Sequence, residues 1–478
     1  MTDNKMTDNN FQFCNVSDLI TSILSVIILI ITQLLDYIID TIVSIMYITS
    51  LKSISSSFLK SIISIYNSCI LVIINSIDAI IIFVNKLRVM MMIDNNDNND
   101  HLRSLANDAD IVIESHNVTT VDGYILGLHR CSNANISSQT TKKPVVLLFH
   151  GLLQSSESLI IGGKLSLASV LVHNGYDVWI ANTRGNKYSN KHVNLNEHDR
   201  KYWDFCLDDY ANTDVPALIT YVRNYTSVDK MSIVGFSQGS CQVFASLSIH
   251  PSLNSMVNVF IALAPPIKPV GLSDNMLSKL ISVYPNITNV ILGYKSCFPY
   301  MPTIQKILGL HMYTTICTLA MEYLFNWNCS CISKERRPQL FKSIFSPSSV
   351  KGIKHWFQMV KAQELNLYQD NANNEIYNNN VEELPTKQNS PYLNILKEQH
   401  QRKKSLYDLS IIECKVAVIA GADDKLIDPY IVQKKIKNCL ITHVIKDYEH
   451  LDLIWADDAN ILVFPKILTL LEEKEKIF

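Results

Sequence analysis

The stretch Gly235-Phe236-Ser237-Gln238-Gly239 constrains the chain more than any other. Before it, Met231 to Val234 is short, apolar and rich in β-branched residues, the pattern of a buried strand. After it, Gln238 to His250 has the pattern of a helix. A strand that ends in Gly-x-Ser-x-Gly and opens a helix must turn so sharply that the serine backbone is strained and its hydroxyl stands clear of the sheet. A Cβ at either flanking position would collide with the neighbouring strand and helix, hence the glycines.

Further apolar runs fit the same layout. Ile111 to Arg130 alternates enough for two early strands joined at Val121-Asp122-Gly123, a turn signal. Val145 to Phe149, Tyr176 to Ala181, Val257 to Ala264, Val416 to Ala420 and Thr442 to Ile445 predict further strands. Helical patterns at Lys164 to His173 and Tyr210 to Tyr225 lie between them. Strands apolar on both faces and alternating with helices predict an α/β fold with a mostly parallel sheet. Ligands of such sheets sit beyond the carboxyl ends of the strands.

A serine hydroxyl needs a base and an acid that orients the base. After an elbow of this kind the order is Ser, then Asp or Glu, then His. His450 follows the last strand and is the expected base. His443 lies at that strand's start, where a structural role is expected. Asp424 follows Val416–Ala420 and is the expected acid, with Asp423 and Asp428 as competitors that spacing leaves open. Two backbone N–H groups must face the developing oxyanion; Gln238 supplies one, and Leu152, after the Val145 strand, the other. His150 is expected to be a structural hydrogen-bonder.

The 478 residues carry a net charge of −2, which gives no electrostatic case for nucleic acid. Eleven dispersed cysteines do not form a disulfide pattern. Cys329 and Cys331 have no second pair or histidine at zinc-site spacing, so no metal is expected, and a serine, histidine and acid that do the chemistry themselves call for no cofactor.

The apolar surplus, 47% of the chain overall, is concentrated before residue 94. Blocks from about Leu19 to Ile48 and from about Phe58 to Val84 are each long enough to cross a bilayer, which takes about 20 residues. Both carry polar residues on one helical stripe, Asp36 and Asp40 among them, which should not face lipid tails. Residues 1–93 are therefore expected to be a hydrophobic membrane-anchor region and residues 94–106, with their Asn/Asp run, a polar linker unable to form a core. Residues 107–266 and 409–478 would form the catalytic core. The 187 positions from Ser237 to Asp424 exceed what a bare sheet needs, so residues 267–408 would be an inserted cap or lid with its own aromatic core, some of it lining an apolar pocket.

Several segments resemble the acid lipase family of α/β-hydrolases, which includes gastric and lysosomal lipases. They are His150-Gly-Leu-Leu153, Gly175 to Asn186, Tyr202-Trp-Asp-Phe205, Ser349 to Gln358 and Tyr448 to Trp455. Within that family the elbow's Phe236, Phe260 to Pro265 and Tyr323-Leu-Phe-Asn-Trp327 look most like fungal steryl ester hydrolases. The resemblance implies the α/β-hydrolase fold and a triad of Ser237, Asp424 and His450, with Asp424 favoured over Asp423. It further implies hydrolysis of an apolar ester at a membrane surface, on a lipid droplet, the endoplasmic reticulum or the plasma membrane. A triacylglycerol lipase and an inert lipid-binding body on the same fold are the rival expectations.

Overall fold

The continuous apolar runs become the centre of a nine-stranded sheet. The computed structural model describes residues 98–133, 143–269, 293–299, 301–369 and 407–475. The chain divides into two compact units, Met1–Asn95 and Asn96–Phe478, and every described residue belongs to the second. The expected membrane-anchor region lies outside the described residues. None of the described helices is long and apolar enough to cross a membrane.

Helix α1 (Asn98–Asp108) is followed by β1 (Ile111–Thr119), β2 (Tyr124–Asn133) and β3 (Val145–Phe149). Helix α2 (Leu167–His173), β4 (Asp177–Ala181) and the two-residue β5 (Lys191–His192) come next. Helix α3 (Val215–Thr226), β6 (Met231–Phe236), α4 (Gln238–Ile249) and β7 (Val257–Leu263) complete the first half. The chain then leaves the sheet. Its described residues there include the two-residue pair β8 (Ser296–Cys297) and β9 (Ser348–Ser349), α5 (Met301–Phe325), which is broken at Gly309, and α6 (Val350–Ala362). It returns with β10 (Lys415–Gly421), β11 (Cys439–Ile445) and α7 (Phe464–Glu475).

The strand order is β1-β2-β4-β3-β6-β7-β10-β11, with β5 on β2. The first strands pair antiparallel, β1 with β2 and β2 with β4. From β4 through β11 every pairing is parallel. Both faces of the parallel strands from β4 to β10 are covered, which is why they show no polar alternation, while the edge strand β11 is largely exposed or half-buried. Val146 and Leu148 of β3 face one core, with Leu171 of α2 and Ile467 of α7. Val145, Leu147 and Phe149 face the other, with Leu218 of α3 and Val243 of α4.

The elements begin and end for local reasons. Ser166 caps α2 by accepting from the N–H of Ser169, so the expected helix from Lys164 starts three residues late. The expected helix from Tyr210 winds through a π turn at Tyr210–Asp214 before α3. Pro216 has no N–H to give the carbonyl of Asn212; His250 Nε2 takes that carbonyl instead, at 3.1 Å. Arg184 is 1% exposed and pairs with Asp214 at the head of α3 and Asp122 in the β1–β2 turn. Burial pushes the Asp122 carboxyl up, and the guanidinium outweighs this and holds it below its ordinary value.

One expectation fails here. Residues 98–106 are not a structureless linker: they form α1, and Leu102, Leu105 and Ala106 are buried in the core. The Asn/Asp run masked an apolar stripe at i, i+3, i+4 and i+7 that ends at the buried Ala109.

Candidate active site

Parallel strands that end level bring their following loops to one edge. Ser237 sits between β6 and α4 with φ +54° and ψ −119°, a strained conformation for a residue with a Cβ. The turn is held by the Ser237 N–H donating to Leu263 O at 2.9 Å and by Ser240 Oγ donating to Gly235 O at 2.6 Å. A Cβ at Gly239 would lie 2.5 Å from Phe149 O and 2.7 Å from His150 O, so this glycine lets α4 press against the end of β3. The collision expected from the sequence is therefore real on the strand side, and Gly235 meets the helix backbone, with Ser240 N at 2.8 Å.

Asp424 follows β10 and His450 follows β11. His450 Nε2 lies 2.7 Å from Ser237 Oγ, and His450 Nδ1 lies 2.6 Å from Asp424 Oδ2. A carboxylate can only accept, so Nδ1 carries the proton and Nε2 is free to accept from the serine hydroxyl. The other oxygen of Asp424 accepts from the N–H of Leu426 at 3.0 Å. All three side chains are buried. Of the competitors, Asp423 is exposed, and Asp428 turns its carboxylate onto the N–H of Tyr430 at 3.0 Å. His443 is paired within β11 opposite Ile419.

Leu152 and Gln238 follow the adjacent strands β3 and β6. Gln238 is the first residue of α4, where the helix offers its N–H no acceptor. Its side chain accepts from Trp356 Nε1 of α6 at 2.6 Å. The loop of Leu152 is pinned throughout. Gly151 N–H donates to Gln154 Oε1, and Ser156 N–H to Asn182 Oδ1, both at 2.9 Å. His150 Nδ1 donates to Gly151 O at 2.8 Å, while its Nε2 accepts from Asn186 Nδ2 at 3.2 Å and from the N–H of Thr183 at 3.3 Å. Burial pushes the His150 pKa down to about 4, so the ring stays neutral and structural. Further along, Glu157 is ion-paired with Lys187 at 2.6 Å and bonded to His101 of α1 at 3.0 Å.

Sequence spacing gave no sign of what surrounds the imidazole. Trp327 stacks flat on His450, with centroids 4.7 Å apart and planes 5° apart. Phe236 packs against the same ring at 5.2 Å and 49°. Trp327 lies 123 positions from His450; it belongs to an aromatic-rich segment and to the family-like stretch Tyr323 to Trp327, and neither signal places it on the imidazole.

Among the described residues, Cys206, Asp208 and His355 place donor atoms within 4.8 Å of one another, the one group that could hold a metal. Asp208 is already occupied by Tyr407 Oη and by the N–H of Tyr368. Burial drives the Cys206 thiol pKa well up, away from the thiolate a metal needs. The nine described cysteines are all free.

A sheet of this order, with a strained serine after one strand and an acid and a histidine after two later ones, defines an α/β-hydrolase. The alpha/beta hydrolase fold family matches residues 144–457, and the partial alpha/beta-hydrolase lipase region matches residues 102–163. The protein named "Probable lipase C1672.09" of Schizosaccharomyces pombe is 35% identical over 382 residues, covering 78% of this chain and 77% of that one. Lipase member K of Homo sapiens is 30% identical over 369 residues, covering 75% and 88%. Gastric triacylglycerol lipase of Bos taurus is 30% identical over 373 residues, covering 76% and 89%. The chain belongs to the acid lipase family and is a serine ester hydrolase.

Proposed function

We propose that the protein hydrolyses apolar carboxylic esters at a lipid surface, with Ser237 as nucleophile, His450 as general base and acid, and Asp424 as the orienting carboxylate. The observation that carries this reading is the unbroken chain of hydrogen bonds from Ser237 Oγ through His450 to Asp424. Ser237 Oγ attacks the ester carbonyl carbon as His450 Nε2 takes its proton. The negative oxygen is held by the N–H groups of Leu152 and Gln238. The C–O bond breaks, and His450 returns the proton to the departing alcohol. Water, deprotonated by His450, then attacks the acyl-serine and releases the carboxylic acid. No cofactor takes part.

The substrate reading is a steryl ester, on the strength of Phe236, Phe260 to Pro265 and Tyr323 to Trp327. A second reading, triacylglycerol, is favoured by the gastric triacylglycerol lipases among the relatives. Either substrate is nearly absent from water, so the enzyme must meet it at an interface. Residues 1–93 are read as the anchor that holds it there, and residues 267–408 as the cap over the acyl site. Supporting the interface, Met312, Ile316, Leu319 and Tyr323 stand exposed on α5 at successive intervals of four, three and four residues, one helical face.

The test is competition between cholesteryl oleate and triolein for the purified chain, alongside fluorophosphonate labelling of wild type and Ser237→Ala. Faster release of cholesterol with Ser237-dependent labelling is expected. A preference for triolein rejects the steryl ester, and labelling that survives Ser237→Ala rejects the site.

A further inference from the structure

We propose that Trp327, gripped by Glu449, is a positioning residue for His450: it fixes the plane of the imidazole and stabilises the imidazolium that forms when Ser237 gives up its proton. The inference rests on the triad reading above and extends it to two residues outside the triad.

The hydrogen bonds from Nδ1 to Asp424 and from Nε2 to Ser237 set the edges of the imidazole but do little to resist a tilt out of its plane. A flat wall removes that freedom. Trp327 supplies one, with its plane 5° from that of His450 and its centroid 4.7 Å away. Parallel planes at this spacing put the imidazole over the face of the indole, the face that attracts a cation. The attraction is small for a neutral imidazole and grows once the ring is charged. The stack therefore favours the transition state over the resting state, which is the condition for raising kcat. Burial excludes the water that would otherwise compete, since Trp327 is 6% exposed and His450 2%. Phe325 stacks on the indole in turn, at 4.4 Å and 16°.

The wall is tied to the loop it serves. Helix α5 ends at Phe325, and Asn326 takes φ +59°, which turns the chain toward His450. Glu449, immediately before His450, then accepts the N–H of Asn328 at 2.9 Å on one carboxylate oxygen and the N–H of Cys329 at 2.7 Å on the other. Glu449 is itself buried, and its own N–H donates to Asp452 Oδ2 at 2.7 Å. One carboxylate thus joins the backbone after the indole to the backbone before the imidazole. Any displacement of the His450 loop carries the wall with it.

The experiment uses the full chain, a soluble p-nitrophenyl ester and the variants Trp327→Phe, Trp327→Leu and Glu449→Gln. Turnover of the Trp327 and Glu449 variants is expressed per fluorophosphonate-labelled site, so misfolded protein does not count, and that of Ser237→Ala per mole of purified chain. Trp327→Leu should lower kcat about 10-fold or more while KM changes less than about 2-fold, and Trp327→Phe, which keeps a ring face, should stay within about 3-fold of wild type. Glu449→Gln should fall between them, because an amide has one acceptor oxygen for two N–H groups. A Trp327→Leu enzyme with wild-type kcat, a loss confined to KM, or a Trp327→Phe enzyme as slow as Trp327→Leu overturns the inference. Ser237→Ala separates the two levels. If it is inert while Trp327→Leu is unimpaired, only the role of Trp327 fails; if it still turns over, the triad reading fails with it.

Discussion

Asp423 and Asp424 are neighbours in the chain, yet one side chain is exposed and the other is buried against His450. Replacing Asp424 by Asn puts a donor opposite Nδ1 and favours the wrong tautomer, leaving Nε2 protonated and unable to accept from Ser237. A loss of kcat of about a thousand- to ten-thousand-fold is expected, with Asp423→Asn and Asp428→Asn near wild type; steady-state kinetics on a soluble ester checks all three. The three positions that meet here are legible because each follows an apolar strand. Choosing among the three aspartates took the family resemblance, since spacing does not say which way a loop turns its side chains. Trp327 and Glu449 were illegible for a different reason. Their contacts join segments about 120 residues apart, and no periodicity encodes such a meeting.

Strands were read to within a few residues where both faces are apolar, as in β3, because burial on two sides leaves no room for a competing pattern. Elements set by capping or by a missing donor are less legible: α2 begins at Ser166's cap, and α3 begins at Val215, with Pro216 in its first turn, after the π turn at Tyr210–Asp214. Helix α1 is hidden in the sequence because the Asn/Asp run before it obscures the apolar stripe of Leu102, Leu105 and Ala106. It makes a direct prediction, since Leu105 is 5% exposed and packs in the core. Leu105→Ala should destabilise the protein by about 2–4 kcal/mol in urea unfolding, whereas a true linker would tolerate it. Helix α5 makes another. Leu319 is 59% exposed on the apolar face, so Leu319→Asp should lower activity on emulsified triolein or cholesteryl oleate several-fold, about the effect of placing a charge against lipid, and leave turnover of a soluble ester unchanged. Equal losses on both substrates would remove the interface from the account.

The whole molecule is sensitive to acid through groups buried without charge. Burial lowers His129 and His150 to about 4, below the ordinary 6.5. The unfolded chain therefore binds protons first, and the stability these rings contribute is complete above 6.5 and lost as the pH falls through 4. Asp452 works in the opposite sense: burial raises it to about 6, so its folded form gains protons first on acidification. Taken by themselves, these three groups, two against one, leave the folded state less stable at pH 4 than at pH 7, by on the order of a few kcal/mol. Burial alone would raise Glu157, but His101 and Lys187 hold it at about 2, and its contribution disappears only as the pH falls from 4.5 toward 2. Urea midpoints at pH 7 and pH 4 test this, and an unchanged midpoint contradicts it.

The sheet is also interrupted in time. Strand β7 ends at Leu263, and its neighbour β10 begins at Lys415. At ribosomal speeds of about 5–20 residues per second, the intervening 150 or so residues keep the edge of β7 bare for roughly 8–30 s. During that interval the nascent chain offers an apolar strand edge to any other unfinished chain, and, on the proposed roles, Ser237 has no base until His450 has been made. The same excursion that takes the chain away from the sheet between Leu263 and Lys415 therefore leaves a strand edge open to misplaced partners while the chain is being made.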